Sequence, residues 1–446
     1  MSLSRNVEKG IPMDKHIGEK IKKLRKEKKL TLADIAQNQM SPAMISLIEN
    51  GKSKPSAENL QHIAHQLGVS VSELLGGKTN EELRKEISYI NHLLEDNYEE
   101  ETFTKVINYI KKLLPELGSN FESARIYEIY SRCLFSFYQY HKVKYDALED
   151  QDWTKYALRA EKLYNELQME NRVLKIRFFF ANVEFSQANY KKTLELINES
   201  LEKIIENDYG TISVIIDLML LKFDALEALG YFEESLQVLD EVIRFSNKHV
   251  MLHRFFEIHN RGALSHFNKN DFKMARIYME KMNQFFQLID NDYLYIEKEL
   301  IFIHYMEFFE NKPEKSLEMI DEFEKKTEQM DFFKGVWRST YEELLSDMKA
   351  RCLTKLKRPN QALPLFRNLI KEDELHIEYS PMDAAIRKIN GTYQALCYMD
   401  LNEYDQALKY AQDAVNQLRF YPHTTYYQFA RNVLQDIQIK SKDYTF

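Results

Sequence analysis

Glycine and proline are scarce, 12 and 9 among 446 residues, while Leu, Ile, Glu and Lys are dense. So few turn residues predict an almost wholly helical protein. Cysteine is scarcer still: Cys133, Cys352 and Cys397 stand far apart, without a C-x-x-C. That excludes a disulfide framework and reads as buried or idle thiols in a reducing cytoplasm. No run of 18 apolar residues occurs, and the first residues lack the apolar stretch of a secretion signal. A soluble intracellular protein is expected, for which Met13 is as good a start as Met1. The metalloprotease, P-loop and nucleophile-elbow motifs are missing too. Neither an enzyme nor a cofactor is expected. His62 and His65 share a helix face but do not make a metal site.

Charge is unevenly spread. Residues 13–78 hold 11 Lys and Arg against 7 Asp and Glu, a net +4, although the whole chain carries −8. A basic head on an acidic body confines any nucleic-acid contact to the head.

That head is organised around Thr31–Ser56, TLADIAQNQMSPAMISLIENGKSKPS. Leu32, Ile35 and Ala36 give a first short helix its inward face. Ser41 is a good N-cap and Pro42 suits the first turn of a second helix, whose Ile45 and Ile48 point back into a small core. Gly51 supplies the left-handed residue that closes it. A basic amphipathic helix with Ile17, Ile21 and Leu24 precedes the pair. Leu60, Ile63, Ala64 and Leu67 line a following helix, then Val71, Leu74 and Leu75 complete the core. A helix presented N-terminus outward on an apolar back is the shape that enters a major groove.

This stretch resembles the helix-turn-helix of the lambda-repressor-like (XRE) family, most specifically over ISLIENGKSKPS. The resemblance implies a five-helix DNA-binding domain over residues 13–77, bounded by Gly76-Gly77. It places base contacts at Ser41, Pro42, Ala43, Ser46 and Leu47, with Thr31 beside them and Lys52 and Lys54 on phosphate. The chain departs from the family in its turn, which is one residue short and lacks the usual glycine. Leu32 stands where the family has glutamine. The second helix carries no Arg, Gln or Asn before Asn50, so bidentate base readout is missing. Specificity then leans on van der Waals contact, duplex shape and dimer spacing.

Beyond the head, repeats are the informative signal. An aromatic or proline precedes a polar-start helix at Trp153, Tyr190, Phe232, Phe272, Pro313, Pro359 and Tyr404, spaced by 37, 42, 40, 41, 46 and 45 residues. Three residues on stand Tyr156, Thr193, Ser235, Ala275, Ser316, Ala362 and Ala407, small in all but the first. Nine residues before the anchors stand Lys144, Ala181, Phe223, Ala263, His304, Ala350 and Ala395. Small residues at fixed offsets let the two helices of a hairpin pack closely. The pattern resembles the tetratricopeptide repeat (TPR), each helix longer by about a turn, and implies a right-handed α-solenoid over residues 80–446.

An XRE head on such an array resembles the RRNPP family of Gram-positive peptide-pheromone receptors. That implies an all-α, dimeric, cytoplasmic transcription regulator of quorum-sensing type, with operator DNA and a short linear peptide as partners. The array could instead bind a protein partner, or act on response regulators as a phosphatase or sequestering protein; the residues leave these open. TPR ligands lie on the first helix of each hairpin. This projects the peptide site onto Phe178, Asn182, Asp224, Glu257, Asn260, Phe267, Tyr305 and Arg351. Asn182 and Asn260 would bridge peptide N–H and C=O groups, with Phe178, Phe185, Phe267, Tyr305 and Phe308 as apolar walls. Asp217, Asp224, Glu227 and Glu257 would form a carboxylate cluster favouring a cationic peptide.

Overall fold

The computed structural model describes residues 13–69, 71–74, 78–95, 100–140, 148, 151–202, 204, 208–289, 291–330, 337–366 and 380–444. Every regular element among the described residues is helical, so the fold is all-α. None of these helices is long and apolar enough to cross a membrane.

The head consists of α1 (Met13–Glu27), α2 (Leu32–Ala36), α3 (Pro42–Glu49), α4 (Ala57–Leu67) and α5 (Val71–Leu74). Ile17, Ile21, Ile35, Ala36, Ile45, Ile48, Ile63, Ala64, Leu67 and Leu74 bury one small core, at the positions that helical spacing marks as inward. Leu75 and the Gly76-Gly77 boundary lie outside the described residues. Side-chain caps set the helix starts: the Thr31, Ser41 and Ser56 hydroxyls accept from Asp34 N, Met44 N and Asn59 N. Gly51 takes φ 66° just past α3, as its sequence position requires.

The chain divides into two compact units, the division falling between Ile176 and Arg177. In the first, α6 (Asn80–Glu95), α7 (Glu100–Leu113), α8 (Phe121–Tyr140) and α9 (Trp153–Glu166) follow the head. They share a core of Leu83, Ile90, Phe103, Val106, Ile107, Ile110, Ile126, Tyr130 and Leu134. Helix α10 (Glu170–Ser186) runs through the division.

The second unit continues with α11 (Tyr190–Leu201), α12 (Tyr209–Leu229), α13 (Phe232–Lys248), α14 (Phe255–Asn268) and α15 (Phe272–Phe286). After these come α16 (Asp292–Phe308), α17 (Pro313–Thr327), α18 (Trp337–Lys355) and α19 (Pro359–Ala362). The unit ends with α20 (Pro381–Ile386), α21 (Asn390–Asp400), α22 (Tyr404–Leu418) and α23 (Thr425–Tyr444).

The repeat pattern is realised to the residue. Each anchor, from Trp153 to Tyr404, is the first residue of its helix. The residues three further on are all buried: Tyr156, Thr193, Ser235, Ala275, Ser316, Ala362 and Ala407. So are the six described residues nine before the anchors, Ala181 to Ala395; Lys144 lies outside the described residues. Hairpin partners α12–α13, α14–α15, α16–α17 and α21–α22 pack side by side.

The second unit also closes on itself. His304 Nε2 on α16 lies 2.8 Å from the Tyr426 hydroxyl on α23. Asn268, ending α14, donates to His423 O at 2.9 Å and accepts from Thr425 N at 2.7 Å. Met382, Ala385 and Ile389 join the same core as Leu220, Phe223, Phe267 and Tyr305. The last elements therefore lie against the first helices of earlier hairpins.

Candidate functional site: the exposed face of α3 and the inner face of the repeats

In the head, the backbone of α1 rests directly on the end of α3. A Cβ added at Gly18 would stand 2.1 Å from Ile48 O and 2.9 Å from Glu49 O, closer than any side chain tolerates. Arg25 completes the clamp, donating from Nε and Nη2 to Glu49 at 2.6 and 2.9 Å and from Nη1 to Leu30 O at 3.1 Å. Glu49 is buried, and its hydrogen bonds with Arg25 raise the Arg25 pKa. The His62 ring fixes α4 to α2, Nε2 lying 2.8 Å from Ile35 O and 3.2 Å from Ala36 O.

What this leaves outward is the opposite side of α3. Ser41, Pro42, Ala43, Met44, Leu47 and Asn50 are exposed, and Ser46 is half-buried. Lys52 and Lys54 follow, also exposed. Met44 was absent from the sequence-derived contacts, although its i, i+3 relation to Leu47 was visible in PAMISL. Thr31 is exposed but spends its hydroxyl and amide on Asp34, a capping box that starts α2. The missing turn glycine has a visible consequence: Gln37 takes φ 41° in its place, a conformation rare for a residue with a Cβ.

On the repeats, the projected peptide residues occupy two kinds of place. Phe178, Asn182, Glu257 and Asn260 are half-buried. Asp224, Phe267, Tyr305 and Arg351 are buried, with 4%, 0%, 1% and 2% of their surface exposed. The open apolar wall expected at Phe267 and Tyr305 is therefore corrected. Phe267 stacks on Phe309 at 4.5 Å between centroids, and Phe308 lies 4.7 Å from Tyr426. The returning C-terminal helices cover this face, and no local period announces such a return.

The carboxylate cluster is corrected as well. Arg261 grips Asp224 from Nε and Nη2 at 2.9 and 2.7 Å. Burial works against the Arg261 charge, but Asp224 outweighs it and raises the Arg261 pKa. Arg254 bridges Asp217 and Glu257 at 2.8 and 3.0 Å. Burial pushes the Glu227 carboxyl up, and it accepts from Ser235 and Ser265 at 2.5 and 2.9 Å. These four carboxylates are therefore each engaged within the protein, and they do not form an open cluster awaiting a cationic peptide. Sequence reasoning missed both arginines; their signal was a shared offset of 37 residues to Asp217 and Asp224.

Arg351 sits in a buried polar knot. Its Nε is 3.6 Å from Glu307 Oε2, Lys355 Nζ is 3.2 Å from Glu307 Oε1, and Tyr393 donates to the same carboxylate. Asn260 accepts from the Tyr305 hydroxyl, so part of the amide expected to bridge a peptide is already engaged. The Asn182 side chain has no hydrogen-bond partner among the described residues. The three thiols are buried; burial pushes Cys133 up to about 12 and Cys352 to about 11, far from a nucleophilic thiolate.

Residues 18–80 match the family model described as a helix-turn-helix domain. Over 64 residues the chain is 36% identical to the immunity repressor protein of Bacillus phage phi105, covering 14% of this chain and 44% of that protein. Over 60 residues it is 42% identical to the HTH-type transcriptional regulator DdrOP3 of Deinococcus deserti, covering 13% of this chain and 46% of that protein. The chain thus spans less than half the length of these curated relatives. Among solved structures, Bacillus thuringiensis PlcR in complex with the peptide PapR7 and DNA aligns at 17% identity and a TM-score of 0.34, over 64% of this chain and 99% of that one. ComR from S. thermophilus in complex with DNA and its signalling peptide ComS aligns at 17% identity and a TM-score of 0.33, over 64% and 97%.

Proposed function

We propose that the chain is a DNA-binding transcription regulator whose repeat unit senses a short linear peptide. The exposed face of α3 carries the reading. Its inner side is locked to α1 by Gly18 and Arg25, its exposed residues include no carboxylate, and exposed Lys52 and Lys54 follow it. A rigid helix presented in this way docks in a major groove with little ordering cost, and the flanking lysines supply phosphate attraction. Of the two curated relatives of the head, one is named a repressor protein and the other a transcriptional regulator. A single head reads one half-site, so a homodimer reading two is the working form.

The peptide half of the proposal rests on Phe178, Asn182, Glu257 and Asn260, the projected residues that keep partial exposure. An extended peptide needs amide partners, and Asn182 has its whole inventory uncommitted. Burial of Phe267, Tyr305 and Arg351 favours a second reading for the array, a folded protein partner held on its outer surface. The cytoplasm is the compartment that three free thiols suit.

The test has two arms. A thermal-shift screen of short synthetic peptides should find ligands that raise the melting temperature by mass action. A hit titrated into the complex with duplex DNA should change DNA affinity, since effector and DNA must couple. DNA binding untouched by any stabilising peptide would leave the head's role and remove the gating.

A further inference from the structure

We infer that the head reads thymine C5-methyl groups through Met44 and Leu47. The inference rests on the DNA-binding reading above and names what that surface recognises. Met44 and Leu47 are 40% and 43% exposed, large apolar side chains on a helix whose other apolar residues, Ile45 and Ile48, are buried. They stand three residues apart and share a face with Ala43.

The polar groups of α3 and its ends are already committed. The Ser41 hydroxyl accepts from Met44 N at 3.2 Å. Asn50 donates to Ser46 O at 2.8 Å and accepts from Lys22 Nζ at 3.3 Å. Glu49 is held by Arg25. The outward face of α3 therefore offers no side chain that could pair bidentately with a purine edge.

In the major groove the one apolar feature among the base edges is the thymine methyl. An exposed apolar face, with Lys22 at Asn50 and exposed Lys52 and Lys54 just past the C-terminal end of its helix, complements a surface of methyls set between phosphates. A protein partner for the same face would have to be acidic at its rim and apolar at its centre.

The experiment uses the full chain to select from a randomised duplex pool made with thymidine. The enriched duplexes are then remade with deoxyuridine, which deletes the C5 methyl. Burying one methyl should be worth about four-fold in affinity and two about 15-fold. Leu47→Gln and Met44→Gln should each shrink the thymine-to-uracil ratio toward one. Both side chains are exposed, so circular dichroism should show the fold unchanged. Equal wild-type affinity for thymine and uracil duplexes would overturn the inference and leave DNA binding standing. A ratio that persists in both variants would overturn it too, by assigning the methyl effect to duplex shape or another residue. Duplexes bound without any sequence enriched would overturn the inference alone, and no binding to any duplex of the pool would remove the DNA-binding reading and this inference with it.

Discussion

The outer face of α3 and the inner face of the repeats were both projected from resemblance to known families, and they end in opposite states. On α3 the projected residues face water, because a clamp on the other side fixes the helix in place. On the repeats half of the projected residues are interior, because α20 and α23 return across α12, α14 and α16. A recognition surface is legible in sequence when the elements that orient it lie within a few turns. It is hidden when its cover comes from more than 100 residues away, as Tyr426 does for His304.

The head side of this contrast breaks most sharply at Gly18. Gly18→Val puts a side chain into the carbonyls of Ile48 and Glu49, so α1 must leave α3. An overpacking cost of about 3 kcal/mol is expected, with DNA binding lost and the urea midpoint of the head lowered. A head that melts like wild type would mean α1 does not hold α3.

The array side is sensitive to acid. Burial, then Arg351 and Lys355, holds the His304 pKa well below its ordinary 6.5. Burial lowers His259 as well. Between pH 6.5 and the depressed folded values the unfolded chain binds protons that the folded chain refuses, so stability falls as pH falls. The limiting slope is about 1.4 kcal/mol per pH unit for each histidine. Urea melts at pH 7.5 and 5.5 should show the loss, and His304→Gln should flatten it. A His304→Gln slope equal to wild type would place His304 in water.

A smaller pair of substitutions compares the two faces directly. Asn260→Ala leaves the Tyr305 hydroxyl buried without its acceptor and should cost about 1–3 kcal/mol of stability. Ser46→Ala on the half-exposed side of α3 should stay within about 0.5 kcal/mol. Equal costs would mean that the inner face is as open as α3. Because Asn260 supports the fold, Asn182→Ala is the cleaner probe of peptide affinity.

How much the sequence foretold follows the same division. Ser41, Pro42, Ile45, Ile48 and Gly51 act locally, through caps and helical spacing, and each stands where its chemistry placed it. The seven repeat anchors succeed for the same reason, since each pairs with a helix only a few turns away. Arg254 and Arg261 escaped because an ion pair across 37 residues leaves no local period. Tyr305 and Phe267 were placed on the right helices, but their burial depends on Tyr426 and Met382. Met44 was passed over because an exposed methionine looks like any helix-forming residue until the buried side of α3 is known.

Salt dependence decides whether the outer side of α3 and its lysines bind duplex DNA. Affinity of the full chain for a duplex is measured across a salt series, for wild type and for the Lys52→Ala, Lys54→Ala double variant. Each phosphate contact contributes about 0.9 to the slope of log affinity against log salt. The double variant should therefore flatten the slope by about 1.8 and weaken selected and random duplexes alike. An unchanged slope, or a loss confined to the selected sequence, would contradict the assignment of these lysines to phosphate.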